Sequence, residues 1–314
     1  MATVVQKTPE LELDGMAVQT SGPRDYWVLC KPNVMQLVVF TGGVGLYLAP
    51  GEIHPLLAFV TVLCIAVGAG ASAAINNWYD VDIDRVMART RRRPTASGRI
   101  EPAEALGAGL TLAILSVMML GIAVGWPAGG LLAFTIFFYT VIYTIGLKRR
   151  TPHNIVIGGA AGAFPPMIGW AAVTGDISTM PILLFLLIFF WTPPHFWALA
   201  LYRSGDYERV GVPMLPVVAG AEATRRQIMG YSLVLAAVSL LPSLIGTAGW
   251  LYMVVAVLLG GQFVLRAARL LRRPSDHAAI GLFKFSIAYL FGLFLALVVD
   301  HALGASGIVS GWVS

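Results

Sequence analysis

The sequence predicts an all-α fold, a polytopic membrane protein with nine transmembrane helices. Of its 314 residues, 57% are hydrophobic and only 12% are charged, whereas soluble domains carry about 25% charged residues. Uncharged runs recur at a length of about 20 residues, which is enough to cross the hydrocarbon core of a bilayer. The predicted spans are 33–49, 56–78, 103–125, 128–147, 153–174, 180–203, 227–246, 248–267 and 282–303.

Three of these spans have features of their own. The first, 33–49, is short for a bilayer and needs its flanking residues to reach across. The fifth contains GGAAGAFPP (158–166), and the sixth contains WTPPHFW (191–197). Small residues allow close helix approach, and prolines free backbone carbonyls and bend a helix. We therefore expect close packing and irregular backbone in the fifth and sixth spans.

The basic residues lie on one side of the predicted membrane topology. Alternate connections and the helix ends beside them hold all 21 Lys and Arg, and the other connections hold none. Such asymmetry orients a membrane protein with its basic side facing the cytoplasm, or the matrix in a mitochondrion. With nine spans, the N-terminus is then inside and the C-terminus outside. The net charge of +5 follows from this asymmetry and does not indicate nucleic-acid binding.

The two ends of the chain are predicted to lie outside the membrane domain. Residues 1–23 are expected to form a flexible cytoplasmic tail, 24–303 the membrane domain and 304–314 a short outer tail. The first residues include acidic groups and no apolar core, unlike a signal peptide or a typical transit peptide. This favours the cytoplasmic (inner) membrane of a bacterium over the mitochondrial inner membrane.

Oxygen-bearing side chains recur at the end of the second span, in NNWYDVDIDR (76–85). If the helix continues, Asn76, Asp80 and Asp84 lie on one face, each about 6 Å further along the axis. Stacked carboxylates repel one another unless a cation lies between them. Oxygen ligands suit Mg²⁺, which commonly bridges protein carboxylates to substrate phosphates. The alternative is a solvated helix end whose aspartates pair with the arginines that follow.

Further polar groups are predicted to lie on the same side of the membrane. Lys148 and Arg149 end the fourth span, and Asn154 opens the fifth. Lysine and arginine side chains bind phosphate oxygens, although basic residues here also serve as a positive-inside anchor. Asp206 follows the sixth span. These groups predict a site for a phosphate-bearing substrate.

Three motifs in this sequence resemble those of UbiA-type intramembrane prenyltransferases. They are NxxxDxxxD (76–84), YxxxLKRxTxxN (143–154) and the acidic stretch after the sixth span. Longer stretches, including 31–45 and 191–217, resemble the heme-modifying branch of that family. The resemblance covers roughly residues 24–301.

The resemblance implies a nine-helix bundle around a central cavity that opens toward the cytoplasmic side and laterally to lipid. It also implies transfer of a farnesyl group from farnesyl diphosphate to a vinyl group of heme b, with Mg²⁺ as cofactor and heme b as a substrate. Ring-prenylating relatives have a second DxxxD, whereas here Asp206 is followed at the fourth position by Val210. Prenylation of an aromatic quinone precursor or a chlorin stays an alternative.

The resemblance also suggests a role for each candidate residue. Lys148 and Arg149 would contact the diphosphate, and the rings of Tyr139 and Tyr143 would stabilise the farnesyl cation unless they serve only in packing. Water would capture the cation formed next to the heme ring. The expected Mg²⁺ ligands are Asn76, Asp80, Asp84 and Asp206. The other expected substrate contacts are Asn154, His195 or His153 at the heme iron, and Arg85 and Arg92 at the heme propionates.

A transporter or Mg²⁺ channel is the competing interpretation from another class. It predicts ionisable residues through several spans and on the outer face, and this sequence has few of either. The sequence leaves open whether the protein associates with a heme A synthase.

Overall fold

The structure is a computed structural model that describes residues 21–304, and in this part of the chain the regular elements are helices. Four helices are short: α1 precedes the long helices, and α4, α10 and α11 lie between them. A π-helix, Phe138–Leu147, continues α6. The helices are α1 Pro23–Leu29, α2 Pro32–Leu48, α3 Pro55–Tyr79, α4 Val81–Val86, α5 Pro102–Ala123, α6 Trp126–Phe137, α7 Asn154–Ala163, α8 Pro165–Thr174, α9 Thr179–Tyr202, α10 Ser204–Arg209, α11 Leu215–Val218, α12 Gly220–Leu244, α13 Trp250–Arg272 and α14 Asp276–Ala302.

The predicted set of nine apolar segments is confirmed. Within the described residues, eight helical segments are long and apolar enough to cross a membrane, and α2 is a shorter apolar helix of 17 residues. Two helices begin earlier than predicted. Helix α12 starts at Gly220 and not at 227, and α14 starts at Asp276 and not at 282. These helices continue into a charged boundary because backbone hydrogen bonds do not require apolar side chains.

The prolines have different effects in the fifth and sixth spans. The fifth divides at Phe164, where α7 ends and α8 begins with Pro165. By contrast, α9 runs from Thr179 to Tyr202 with Pro193 and Pro194 inside it. Because each proline lacks an N–H, the carbonyls one turn earlier lose their intrahelical partner.

Small residues bring the helices into close contact, as predicted. Gly45 lies so close to α8 that a Cβ would overlap the Pro166 carbonyl, and Gly169 is packed in the same way against Gly42. A Cβ on Gly109 of α5 would lie 2.7 Å from Ile75 Cγ1 on α3. Backbones that approach this closely fix the depth and rotation of α2 against α8 and of α3 against α5.

The short helices gather at one end of the bundle, which we call the polar end. Here α4 packs against the segment after α9 through Ile83 and Val212. Arg99 Nε donates to Asp25 Oδ1 at 2.8 Å, which ties α1 to the chain between α4 and α5. Asn77 Nδ2 donates to the Leu29 carbonyl at 2.9 Å. The ends of α3, the π-helix and α9 therefore lie together at the polar end.

The predicted tails fall mainly outside the described residues. Of 1–23, the structure describes residues 21–23, and α1 begins at Pro23. Of 304–314, it describes Gly304.

Candidate active site

The predicted column of Asn76, Asp80 and Asp84 is present at the polar end. Helix α3 ends at Tyr79, and Asp80 joins it to α4 with φ −94° and ψ 9°. The helical hydrogen bonds nevertheless continue across this junction, from Asp80 N to Asn76 O (3.0 Å) and from Asp84 N to Asp80 O (2.8 Å). All three side chains are buried, and Asp80 is 0% exposed. This helix end is therefore buried and not solvated, although one part of that alternative is present, because Asp84 pairs with Arg93.

Asp80 is at the centre of a group of polar contacts. Its Oδ2 accepts hydrogen bonds from Lys148 Nζ and from Asn76 Nδ2, the latter at 2.8 Å. Arg149 Nη2 lies 3.7 Å from Asp80 Oδ1. This Oδ1 atom is buried and accepts no hydrogen bond from the described residues. A buried carboxylate oxygen without a donor has capacity to bind a ligand.

Two further cations reach the column, and neither was among the predicted site residues. Lys31 Nζ donates to Asn76 Oδ1 at 2.6 Å, and Arg93 Nη1 donates to Asp84 Oδ2 at 2.7 Å. Lys31 precedes α2 with a left-handed φ of 53°, a conformation that non-glycine residues rarely adopt. Burial, together with the nearby positive charges of Arg93 and Lys148, lowers the pKa of Lys31 well below its usual range.

A sequence signal for Lys31 existed. It stands directly before Pro32 at the start of the first span and opens the stretch 31–45 that resembles the heme-modifying branch, although no role in the site is predicted for it. Arg93 gave no comparable signal, because it is one of three consecutive arginines.

The π-helix positions Lys148 and Thr144 at the end of α3. Lys148 N donates to Tyr143 O at 2.9 Å, a bond that spans five residues instead of four. Thr144 Oγ1 donates to Tyr139 O and accepts from Asn76 Nδ2 at 3.2 Å. π-helical turns are rare and frequently lie at functional sites. This one rotates the end of the fourth span so that Thr144 and Lys148 both face Asn76 and Asp80.

The two predicted tyrosines lie next to one another beside this site. The ring centroids of Tyr139 and Tyr143 are 5.4 Å apart, and both side chains are partly buried. Gly158 of α7 packs against the Tyr143 ring, because a Cβ there would lie 2.7 Å from Cε2. Their role in stabilising a cation stays a prediction.

Arg149 lies at the edge of the site. Its guanidinium makes two hydrogen bonds to the Asp82 carboxylate, at 2.8 and 2.7 Å, and stacks on the Tyr79 ring at 4.6 Å. These hydrogen bonds lower the pKa of Asp82 below its usual value and raise the pKa of Arg149. Asp82 is exposed, so this pair forms the outer boundary of the cluster.

Asn154 and His153 are placed differently from one another. Asn154 is buried, and its Nδ2 donates to the carbonyls of Thr151 (2.8 Å) and Lys148 (3.3 Å). The Asn154 amide thus holds the connection that carries Lys148. His153 is exposed at the start of α7. Contact of either side chain with substrate stays a prediction.

Asp206 pairs with arginines of its own segment, Arg209 in α10 and Arg203 directly before it. It is buried, with Arg209 Nη2 at 3.5 Å and Arg203 Nη1 at 3.9 Å from its carboxylate. Val210, four residues after Asp206, packs in an apolar cluster with Ile83 of α4. The segment that contains Asp206 therefore packs against α4. The role of Asp206 as a metal ligand stays a prediction.

The remaining candidates are separated from this cluster. Arg85 and Arg92 are exposed and form no ion pair within residues 21–304. His195 is buried in α9 against aromatic rings. The structure does not bring these three side chains into contact with Asp80.

The residues around Asp80 fit Mg²⁺ that is shared with a substrate. Among the described residues, no three or more His, Cys, Asp or Glu side chains gather as a metal-binding group. Mg²⁺ is usually held by one or two carboxylates plus substrate phosphates instead of by a protein cage. The ligandless Asp80 Oδ1 and the neighbouring amide and carboxylate oxygens supply donors of that kind.

A helical membrane bundle with buried carboxylates and converging cations at one end is an arrangement suited to diphosphate chemistry within a membrane. The fold matches that of a digeranylgeranylglyceryl phosphate synthase with a TM-score of 0.74 at 20% identity, over 88% of this chain and 97% of that one. It matches a UbiA homolog from Archaeoglobus fulgidus bound to DMAPP and Mg²⁺ with a TM-score of 0.68 at 17% identity, over 88% and 99% of the two chains. The UbiA prenyltransferase family matches residues 38–298, and this chain belongs to that family.

The relatives identified by sequence belong to one group within the UbiA prenyltransferase family. A protoheme IX farnesyltransferase from Parvibaculum lavamentivorans is 60% identical over 288 residues, which are 90% of this chain and 91% of the relative. With this identity over most of both chains, the protein is an enzyme, a prenyltransferase.

Proposed function

We propose that this enzyme transfers a farnesyl group from farnesyl diphosphate to a vinyl group of heme b and adds water, which gives heme O. The C–O bond to the diphosphate breaks, a C–C bond to the vinyl carbon forms, and water supplies the hydroxyl group at the neighbouring carbon. Diphosphate and one proton leave. The choice of heme b as acceptor is supported by the name of the relative at 60% identity.

The observation that carries the proposal is the buried Asp80 with its ligandless Oδ1, surrounded by cations from three segments. Lys31, Arg93 and Lys148 each hold an oxygen of the column. When the diphosphate binds, Asp80 and Asp84 would be free to hold Mg²⁺, and Lys31, Arg93 and Lys148 would bind the phosphate oxygens. Bound Mg²⁺ would neutralise the charge that grows on the diphosphate as the C–O bond breaks.

The chain's own residues then have separate tasks. Asn76, Asp80 and Asp84 would hold the metal, with Asp206 as a further ligand, while Lys148 and Arg149 contact diphosphate oxygens. Positive groups at the leaving group stabilise the transition state more than the ground state. The ring faces of Tyr143 and Tyr139, about one and two turns deeper than Lys148, would lie against the farnesyl cation.

A row of phenyl rings offers a path for the isoprenoid tail. It begins next to Tyr139 and crosses from the π-helix through Phe164 to α9, and each ring is partly exposed. Successive centroids lie 5.0–6.1 Å apart. An apolar wall of this kind excludes water from the cation. The rings are Phe138, Phe164, Phe185, Phe189 and Phe190.

The second candidate, prenylation of an aromatic quinone precursor or a chlorin, is disfavoured because this chain has Val210 where the resemblance predicts a second carboxylate for ring-prenylating enzymes. A second carboxylate at this position would enter the apolar cluster of α4 and the α10–α11 segment, which makes it costly.

The test uses purified protein with farnesyl diphosphate and Mg²⁺, offered either heme b or 4-hydroxybenzoate. We expect heme O by mass spectrometry in the first reaction and no prenylated product in the second. In H₂¹⁸O, the product should carry one ¹⁸O in its new hydroxyl group. The reverse acceptor preference would overturn the proposal, and unlabelled heme O would overturn only the water-capture step.

We also propose that the polar end faces the cytoplasm of a bacterium. Cysteines introduced at Glu52 and Ser97, both exposed and in connections of opposite predicted sides, test this in intact cells. A membrane-impermeant maleimide should label the E52C variant and not the S97C variant.

A further inference from the structure

His195 occupies a setting unlike that of the other four histidines, which lie at or near helix ends. It lies seven residues before the end of α9, about 10 Å deep at ~1.5 Å per residue. Trp191 stacks on one side of its ring at 4.2 Å between centroids, and Phe283 of α14 stacks at 4.6 Å. The imidazole is therefore held in one plane by two aromatic neighbours.

A chain of hydrogen bonds assigns the proton on this ring. His195 Nδ1 lies 2.6 Å from Ser286 Oγ, and Ser286 Oγ lies 2.6 Å from the Phe283 carbonyl. A hydroxyl group has one hydrogen, and the carbonyl can only accept. Ser286 therefore donates to Phe283 O and accepts from His195 Nδ1–H. In the neutral ring, Nε2 then carries the lone pair.

The Nε2 atom is not fully enclosed and is free of hydrogen bonds to the described residues. It makes none of the side-chain hydrogen bonds found within residues 21–304, and it is not one of the enclosed nitrogen atoms that lack a partner. Trp197 Nε1, nearby on the same helix, is enclosed in that way. His195 itself retains 8% exposure. A metal-binding histidine needs a lone pair that points into open space, with its other nitrogen bonded to an acceptor.

Ser286 is fixed in turn. Its own carbonyl accepts a hydrogen bond from Trp191 Nε1 at 2.6 Å. Ser286 thus contacts both the histidine and one of the rings that hold it, and its side chain is 0% exposed.

We propose that His195 Nε2 is an axial ligand of the heme iron while heme b is bound as substrate, and that Ser286 is the positioning residue that sets its tautomer. This inference rests on the proposed function, because it requires heme b as the acceptor. It selects His195 over His153, which is exposed at the start of α7, and adds Ser286 from a helix 91 residues further along the chain.

The experiment measures iron ligation separately from turnover. Full-length protein labelled with ¹⁵N-histidine binds heme b without farnesyl diphosphate, and the iron is reduced and exposed to nitric oxide. Electron paramagnetic resonance should show hyperfine coupling to a histidine nitrogen opposite the nitrosyl. The coupling should vanish in H195A and in the size-conserving H195Q, which serves if H195A does not fold. It should persist in H277A, a variant of an exposed histidine on α14.

Ser286 has its own readout. S286A should weaken heme b binding by about 10-fold to 100-fold, the usual cost of removing the partner of a metal-binding histidine, and S286T should restore most of the affinity. Unchanged affinity in both variants would remove Ser286 from the proposal.

Failure of this inference is distinguishable from failure of the proposed function. Coupling that persists in H195Q, or vanishes in H153A instead, overturns the ligation while heme O formation by the unmodified protein stands. If the unmodified protein neither binds heme b nor forms heme O, the proposed function itself fails.

Discussion

Two buried aspartates at opposite ends of the bundle have different partners. Asp80 at the polar end and Asp300 near the end of α14 are 0% and 1% exposed. Both oxygens of Asp300 accept backbone hydrogen bonds at the start of α13, from Gly249 N at 2.6 Å and Tyr252 N at 3.2 Å. Asp80 instead pairs with the long side chains of Lys148 and Arg149, and its Oδ1 accepts no hydrogen bond from the described residues.

The difference shows how to interpret a buried carboxylate in a membrane protein. Asp300 caps a helix, where the backbone donors and the helix dipole stabilise its charge. Those backbone donors cannot move away, so the Asp300 carboxylate has a structural role. The partners of Asp80 are flexible cations that can turn to another anion. Burial alone therefore does not distinguish the two, whereas the mobility of the partners does.

The largest expected effect on activity is that of replacing Asp80. Asp80→Asn keeps the size of the side chain and removes its charge, so farnesyl transfer should fall at least about 100-fold, measured as heme O formed per minute. The protein should still fold, as judged by its elution as a monodisperse species in detergent. Activity within threefold of the original would remove Asp80 from the site.

Asp300→Ala should show the opposite pattern. It leaves two backbone N–H groups of α13 without an acceptor, and we expect the free energy of unfolding to fall by about 2 kcal/mol. Thermal unfolding followed by tryptophan fluorescence measures this loss. Activity per folded molecule should stay unchanged, and Asp300→Asn should lose less stability. A functional role for Asp300 would show as lost activity in folded protein.

Lys31→Met sharpens the comparison at the polar end. If the basic side chains around Asp80 turn to the diphosphate, removal of this hydrogen-bond donor should raise KM for farnesyl diphosphate about 10-fold, the cost of one lost hydrogen bond to a charged group. Arg226→Met is the matched control, because Arg226 pairs with Glu222 on an exposed surface. Equal effects of the two substitutions would mean that Lys31 acts only through net charge.

The smallest effect should come from Asp82, whose carboxylate is exposed beside Arg149. Exposed ion pairs contribute about 0–1 kcal/mol, so Asp82→Asn should change stability little. Because the pKa of Asp82 is lowered in the folded protein, its contribution is present above the usual value of 3.8 and is lost as the pH falls through the folded-state pKa. The stability difference between Asp82→Asn and the original should shrink toward zero in acid titrations.

Several features of the site could be predicted because they depend on spacing within one helix. Asn76, Asp80 and Asp84 lie at four-residue intervals, and the helical hydrogen bonds hold this spacing across the break at Asp80. Lys148 and Arg149 follow an apolar span, which places them at a membrane boundary. Such patterns are local in the chain.

Other features could not be predicted. The contact of Thr144 with Asn76 depends on a π-helical turn, which the periodicity of the sequence does not predict. Arg93 was one of three consecutive arginines, and only the path of the chain after α4 selects it for Asp84. The position of Asp206 after the sixth span did not show that its carboxylate pairs with Arg209 in α10 and with Arg203 directly before it.

The sequence by itself determined the helical membrane architecture, the side that carries the cations and the acidic column at the end of α3, because hydropathy, charge and helical period act over short stretches. The tertiary structure decided which distant side chains meet. The pairing of His195 with Ser286, and of Lys31 with Asn76, depends on the depth and rotation of separate helices. Those are set by close glycine packing and by irregular turns, which involve contacts between segments far apart in the chain.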